Sequence, residues 1–110
     1  MEVEYSSNRL KKQLSSPGDI KKSFGNMAKK VASRLDDIAA SDNLSILCQI
    51  PAANCHPLTG DRIGQWALDI SGNFRMIFEI ANNPIPLKED KSVDKILVTI
   101  IEIVEITDYH

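Results

Sequence analysis

The sequence predicts an α+β domain, with two to three N-terminal helices packed on one face of a small, twisted, mainly antiparallel sheet and all 110 residues in a single unit. Three observations lead there. Residues 65–70 and 74–80 alternate apolar and polar side chains at the period of a strand. Between residues 20 and 38, by contrast, Ile20, Phe24, Met27, Val31, Leu35 and Ile38 recur at steps of three and four, which is one stripe of a helix. Residues 96–106 form a β-branched run that suits a last strand.

Taken in order, Val3 to Tyr5 reads as a short first strand, after which Ser7 or Asn8 caps a helix carrying Leu10 and Leu14 one turn apart. Ser16-Pro17-Gly18-Asp19 starts a second helix, with Ser16 at the N-cap, Pro17 at the first helical position and Asp19 near the positive end of the dipole. The apolar stripe carries that helix to Ile38 with Gly25 inside it, at a cost of about 1 kcal/mol relative to Ala. Its other side bears Lys21, Lys22, Lys29, Lys30 and Asp36. Ser41-Asp42-Asn43 ends the helix and caps a short third one over Leu44 to Cys48, stopped before Pro51.

Residues 53–58 read as the strand leading into a hairpin and Thr59-Gly60-Asp61-Arg62 as its turn, which would stand His56 beside the strand of Arg75. In the hairpin, a two-residue Gly72-Asn73 loop would set Arg75 opposite Ile70, among apolar side chains. A three-residue Ser71-Gly72-Asn73 loop instead sets Ile70 opposite Phe74, Leu68 opposite Met76 and Trp66 opposite Phe78, with Asp69 facing Arg75 on the other side. The second pairing is expected. Residues 82–95, with Asn83-Pro84 and Ile85-Pro86, form an exposed connection. In the last strand Glu102 and Glu105 are an odd number apart, so a flat strand would aim them at opposite faces unless a bulge intervenes.

Composition narrows the function classes. Residue 2 is Glu and no apolar run approaches the roughly 20 residues a membrane span needs, so a soluble cytoplasmic protein without membrane contact is expected. Cys48, Cys55, His56 and His110 lack C-x-x-C or H-x-x-x-H spacing, so neither a metal nor another cofactor is expected. Net charge is −2, unevenly spread: residues 1–50 carry eight Lys or Arg against six Asp or Glu, and residues 51–110 five against nine. An acidic second half argues against strong independent binding of RNA.

Three pieces of the second half carry a resemblance. His56-Pro57-Leu58-x-Gly60-Asp61-Arg62-x-Gly64-x-Trp66, then Asn73-Phe74-Arg75-x-Ile77-Phe78, and an ending Asp108-Tyr109-His110, resemble HigB-type toxins, the plasmid-maintenance-killer branch of the RelE-like toxins. The resemblance implies a RelE-like fold and the toxin of a type II toxin–antitoxin system. It further implies a metal-independent endoribonuclease that cuts messenger RNA in the ribosomal A site, with a small helix-turn-helix (HigA-like) antitoxin as partner. On matching positions it assigns the chemistry to His56, Arg75, Asp108, Tyr109 and His110.

Those residue types suit the reaction. Cleavage without a metal needs a base for the ribose 2′-hydroxyl, an acid for the departing 5′-oxygen and positive charge beside the phosphate. His56 and His110 are expected as the acid/base pair in either order, Arg75 as the charge on phosphate, Asp108 as the group that orients a histidine, and Tyr109 as a base-stacking or holding residue. Arg62, Lys22 and Lys29 are candidate RNA contacts, although an ion pair of Arg62 with Asp61 is the more ordinary use. Where relatives carry basic residues this chain has Thr59 and Ser71. Two other readings stay open: a toxin that binds a protein target, as the gyrase-poisoning branch does, and a relative that mainly binds its antitoxin.

Overall fold

The protein is described by a computed structural model over residues 1–108. Strand β1 (Glu2–Tyr5) is followed by helices α1 (Asn8–Gln13), α2 (Pro17–Phe24), α3 (Ala28–Ala40) and α4 (Leu44–Leu47), and then by β2 (His56–Pro57), β3 (Gln65–Ser71), β4 (Phe74–Ile80) and β5 (Ile100–Asp108). The five strands form one sheet in the order β1-β5-β4-β3-β2, antiparallel throughout except that β1 runs parallel to β5. The α+β expectation therefore holds.

The hairpin register is the expected one. Trp66 faces Phe78, Leu68 faces Met76 and Asp69 faces Arg75. At the turn end the pairing shifts, so that Ser71 rather than Ile70 meets Phe74 across Gly72 and Asn73. The extra residue on β3 is a bulge that absorbs the third loop position. Ile70 stays on the apolar face and is buried.

Trp66, Leu68, Ile70, Met76, Phe78, Ile101 and Ile103 form the inner face of the sheet, with Leu10, Leu14, Ile20, Val31, Ile38, Leu44 and Leu47 of the helices packed over them. Trp66 and Phe78 stack at 6.4 Å between centroids, 20° from parallel, and the Lys95 ammonium lies 5.8 Å from the Trp66 ring. Burying each large side chain contributes about 1.5–3 kcal/mol, so this layer dominates stability.

The helical layer departs from expectation at Gly25. The stripe from Ile20 to Ile38 belongs to two helices, because Gly25 ends α2 with φ 54° and ψ −120° and a single turn of 3-10 helix, Gly25–Met27, leads into α3. An L side chain rarely adopts that conformation, so the glycine works as a stop rather than as a weak link. The break resets the helical phase: α3 buries Ala28, Val31, Arg34 and Ile38, with Arg34 paired to Asp37, while Leu35 is only half-buried.

Two strands are shorter than expected. Residues 51–53 form a 3-10 turn and only His56–Pro57 pair with β3. Lys95–Leu97 is likewise a 3-10 turn, and β5 starts at Ile100. The intervening Val98 is spent on α4, its carbonyl accepting the Leu44 N–H at 3.1 Å. Asn82 closes the base of the 82–99 connection, accepting from the backbone N–H groups of Thr99 and Ile100 at 3.0 and 3.1 Å.

Gly25→Ala separates the two accounts of the helical layer. Were Gly25 inside a continuous helix, Ala would stabilise by about 1 kcal/mol. At φ 54° the substitution should instead destabilise by about 1–3 kcal/mol in urea denaturation, from backbone strain alone, since a Cβ there meets no atom within 4 Å.

Candidate functional site

The outer face of the sheet is built in three rows of residues that neighbour one another across the strands. Asp69, Arg75 and Thr107 pair in sequence, and Asn54 extends this row by donating from Nδ2 to Asp69 Oδ2 at 3.2 Å. The second row runs His56, Ala67, Ile77, Glu105. The third runs Gln65, Glu79, Glu102, Glu4, with Leu58 donating its N–H to the Gln65 carbonyl at the end. Alternation of side chains puts all three rows on the face away from the helices.

Glu102 and Glu105 share this face because of a bulge. The pairing of β4 with β5 shifts between Ile77 and Phe78, so Ile77 faces Glu105 while Phe78 faces Ile103, and Val104 is the extra residue. The face is not wholly polar: Leu58, Ala67 and Ile77 are buried in a small second cluster with Val104 packed against it.

Arg75 lies in the first row. Its Nε is 2.8 Å from Asp69 Oδ1, while its Nη1 donates to the carbonyls of Gly72 at 2.7 Å and Phe74 at 3.0 Å. Asp69 Oδ1 is buried and makes no well-directed hydrogen bond, so the attraction is mainly coulombic. With side chains 21% and 33% exposed, such a pair contributes about 0.2–1 kcal/mol. The guanidinium is thereby fixed in direction, while Nη2 takes no part in these contacts.

His56 stands beside β3 rather than beside the Arg75 strand, because the two-residue β2 adds outside β3. Two strand spacings across and two residues along put the Cα atoms of His56 and Arg75 about 12 Å apart. Its Nδ1 is 2.7 Å from the Asn54 carbonyl oxygen. A carbonyl has no proton to give, so Nδ1 donates.

Arg62 does not pair with Asp61. It reaches across the outer face, where Nη1 donates to Gln65 Oε1 at 2.9 Å and Nη2 lies 2.8 Å from Glu105 Oε1, with Gln65 in turn donating to Glu79 at 3.1 Å. Lys22 and Lys29 sit apart from this face, exposed on the helical layer: Lys22 shares a groove with Arg9 and Lys12, and Lys29 lines the cleft between α2 and α3 with Lys21. Asp108 ends β5 opposite Phe74, one residue beyond the Thr107 that faces Arg75, which sets it on the face opposite that arginine. Tyr109 and His110 lie outside the described residues.

Sequence reading passed over Asn54, Gln65 and Thr107. Counting back two residues from His56 along an antiparallel strand would have set Asn54 against Asp69, had the pairing of β2 been known. Among the described residues no group of three or more His, Cys, Asp or Glu is arranged to hold a metal, and no helix is long and apolar enough to cross a membrane.

On the helical side of the sheet, Cys48 and Cys55 pack against the main core with their thiols close enough to interact. A hydrogen bond donated by Cys55 holds the Cys48 thiol down at about 7, against burial and with help from Lys95. The same bond, with burial, pushes Cys55 up.

Residues 4–95 match the family model of HigB-like toxins, described as the RelE-like toxin of type II toxin–antitoxin system HigB. The match includes His56, Arg62 and Arg75 and stops short of Asp108. No curated protein matches the sequence. Among solved structures, the YoeB/ParE toxin from Agrobacterium tumefaciens is similar at a TM-score of 0.53 and 15% identity, with 100% of each chain covered. A mutant of YafQ from E. coli is similar at 0.56 and 14% identity, covering 97% of this chain and 91% of that one. At such identities the likeness concerns the fold.

The cysteine pair can be tested directly. Alkylation of Cys48 by iodoacetamide should rise about tenfold per pH unit below a midpoint near pH 7 and level off above it, because the thiolate is the nucleophile. Cys55→Ala removes the donated bond and should move the midpoint up toward the ordinary thiol value of about 8.5. A midpoint that stays near 7 in that variant would contradict the cause assigned.

Proposed function

The chain belongs to the RelE-like HigB toxins of type II toxin–antitoxin systems, and on that premise we propose that it is a metal-independent endoribonuclease that cuts messenger RNA in the ribosomal A site and so stops translation. The observation that carries this reading is the pairing of chemistry on the outer face: a fixed guanidinium, Arg75, and an imidazole, His56, aimed from the same side of the sheet. One histidine takes the proton of the ribose 2′-hydroxyl as its oxygen attacks phosphorus. Arg75 stabilises the charge that gathers on the phosphate, and the second histidine protonates the 5′-oxygen as its bond to phosphorus breaks. His56 and His110 form this pair, with Tyr109 holding the substrate. Asp108, which the register sets on the face away from Arg75 and His56, is assigned to orient the imidazole of His110 rather than that of His56.

Charge placement bears on how RNA would be met. Glu105 is offset by Arg62 and Asp69 by Arg75, which leaves Glu79, Glu102 and Glu4 as the acidic row. That row lies four residues along β4 from Arg75, about 14 Å, well past the Debye length of about 8 Å at physiological salt. A phosphate beside Arg75 therefore meets little repulsion, yet the face offers few cations to hold an RNA strand on its own. Positioning falls to the ribosome, with Lys22 and Lys29 on the helical layer touching ribosomal RNA and Arg62 near the message. Type II membership implies an antitoxin partner, and we assign it to the helix-turn-helix, HigA-like class, with both proteins in the cytoplasm.

Expression of the toxin alone should halt growth and translation, and cleavage should require translating ribosomes. Arg75→Ala should lower ribosome-dependent cleavage by about 10²- to 10³-fold, and His110→Ala by about 10²- to 10⁴-fold with little change in the melting midpoint. Full activity of a folded His110→Ala would sink the assigned acid/base pair. Efficient cutting of free RNA at physiological salt would refute the ribosome's positioning role. Intact translation with DNA damage would move the protein to the gyrase-poisoning class.

A further inference from the structure

We propose that Asn54 is the positioning residue of this site, holding His56 in the tautomer that accepts a proton at Nε2 and tying its loop to the Asp69–Arg75 pair. The inference rests on the nuclease reading above and assigns His56 within it as the base.

The first half of the argument is the 2.7 Å contact between His56 Nδ1 and the Asn54 carbonyl. With the proton of neutral imidazole committed to Nδ1, the lone pair stands on Nε2 at the far edge of the ring. The torsions of Cys55 and His56 let a carbonyl two residues back reach that nitrogen, and the torsions of Asn54 set how the peptide plane carrying it stands against the preceding turn. Asn54 makes that junction at φ 44° and ψ 49°, in the left-handed region, where Asn is among the few residues other than glycine that sit readily. Its N–H donates to the Pro51 carbonyl at 3.2 Å, so the preceding 3-10 turn holds the conformation in place.

The second half is the side chain. Asn54 Nδ2 donates to one oxygen of Asp69 at 3.2 Å, while the other oxygen lies 2.8 Å from Arg75 Nε. One residue thus joins the imidazole and the guanidinium, which sit two strands apart, through its main chain on one side and its amide on the other. In the reaction His56 Nε2 takes the 2′-hydroxyl proton and becomes imidazolium. The 2′-oxygen bonds to phosphorus, the bond from phosphorus to the 5′-oxygen breaks, and that oxygen takes its proton from the acid of the pair, leaving a 2′,3′-cyclic phosphate. In the other neutral tautomer the lone pair stands on Nδ1, against the Asn54 carbonyl oxygen, where it cannot take the 2′-hydroxyl proton.

Two substitutions separate the halves. Asn54→Gly keeps the left-handed conformation and removes the amide. Asn54→Val disfavours the conformation as well, since a β-branched residue is an outlier there. Nitrogen-15 chemical shifts of the His56 ring, assigned against His110→Ala, report the tautomer, and kcat and KM for ribosome-dependent cleavage report its use.

The wild type should show Nδ1 protonated in the neutral ring. Asn54→Gly should keep that signature and lose about 3- to 10-fold in kcat with KM little changed. Asn54→Val should lose the signature and about 10²-fold in kcat, with a cooperative melt retained in both. A wild-type ring protonated on Nε2, or an Asn54→Val protein with an altered ring and full kcat, overturns the proposal. Should Asn54→Val fail to fold, unchanged kcat in Asn54→Gly overturns the amide link. Absence of cleavage by the wild type overturns the nuclease reading instead, and the ring signature alone then upholds or overturns the placement of His56 by Asn54.

Discussion

Which side chains of β3 and β4 meet decides what the two faces of the sheet are made of. With Trp66 opposite Phe78 and Leu68 opposite Met76, the large apolar groups enter the layer under the helices and the Asp69–Arg75 pair is left outside. A slip of one residue on either strand would turn that strand's member of the charged pair inward and part it from its partner, at an effective cost on the order of several kcal/mol. It would also bring Trp66, Leu68 or Met76 and Phe78 out to water, forfeiting about 1.5–3 kcal/mol each. Those penalties rival the whole stability of a domain this size, about 5–15 kcal/mol. The outer face keeps its charged pair in a fixed place because the inner one leaves it no freedom.

Position on that face then matters more than net charge. An acidic second half weighs against an RNA enzyme when charges are merely counted. Laid out by row, two carboxylates are matched by arginines, and three others fall on the row farthest from Arg75. Screening decides the outcome over that separation, whereas within the Asn54–Asp69–Arg75 row the contacts are direct and screening matters little.

The hairpin was legible in the sequence because two signals of different origin agreed, a period of two on both sides and turn residues of the right kind between them. Gly25 was misread for a physical reason: a propensity scale averages glycine over conformations, and nothing in a string of residues tells a tolerated glycine from one whose φ ends the helix. Strand β2 was over-extended since two pairing residues leave almost no periodic trace. For Arg62 the sequence suggests its neighbour Asp61, but the partners the fold brings to it include Gln65 and Glu105, the latter more than forty positions away. The resemblance singles out His56 and Arg75, and alternation sets Arg75 on the outer face, but His56, expected beside the Arg75 strand, stands beside β3 because two pairing residues do not reveal which strand they join. Asn54 escaped notice because its contributions are a backbone angle and a cross-strand hydrogen bond, neither of which has a sequence signature. Tyr109 and His110 rest on the resemblance.

The extra residue at Val104 can be thought of as a frameshift. Along β5, facing is a two-letter reading frame, inward and outward, and the bulge changes that frame once, between Ile103 and Glu105. Everything downstream inherits the new frame, including Thr107 beside Arg75. Loss of a single residue at this point would leave the buried part of the strand in register while inverting every position after it, although none of those side chains had changed. A one-residue insertion farther along would restore those beyond it, in the way a deletion and an insertion suppress each other in a coding sequence. The aim of the strand's final residues is therefore written upstream of them, at a site that touches neither His56 nor Arg75.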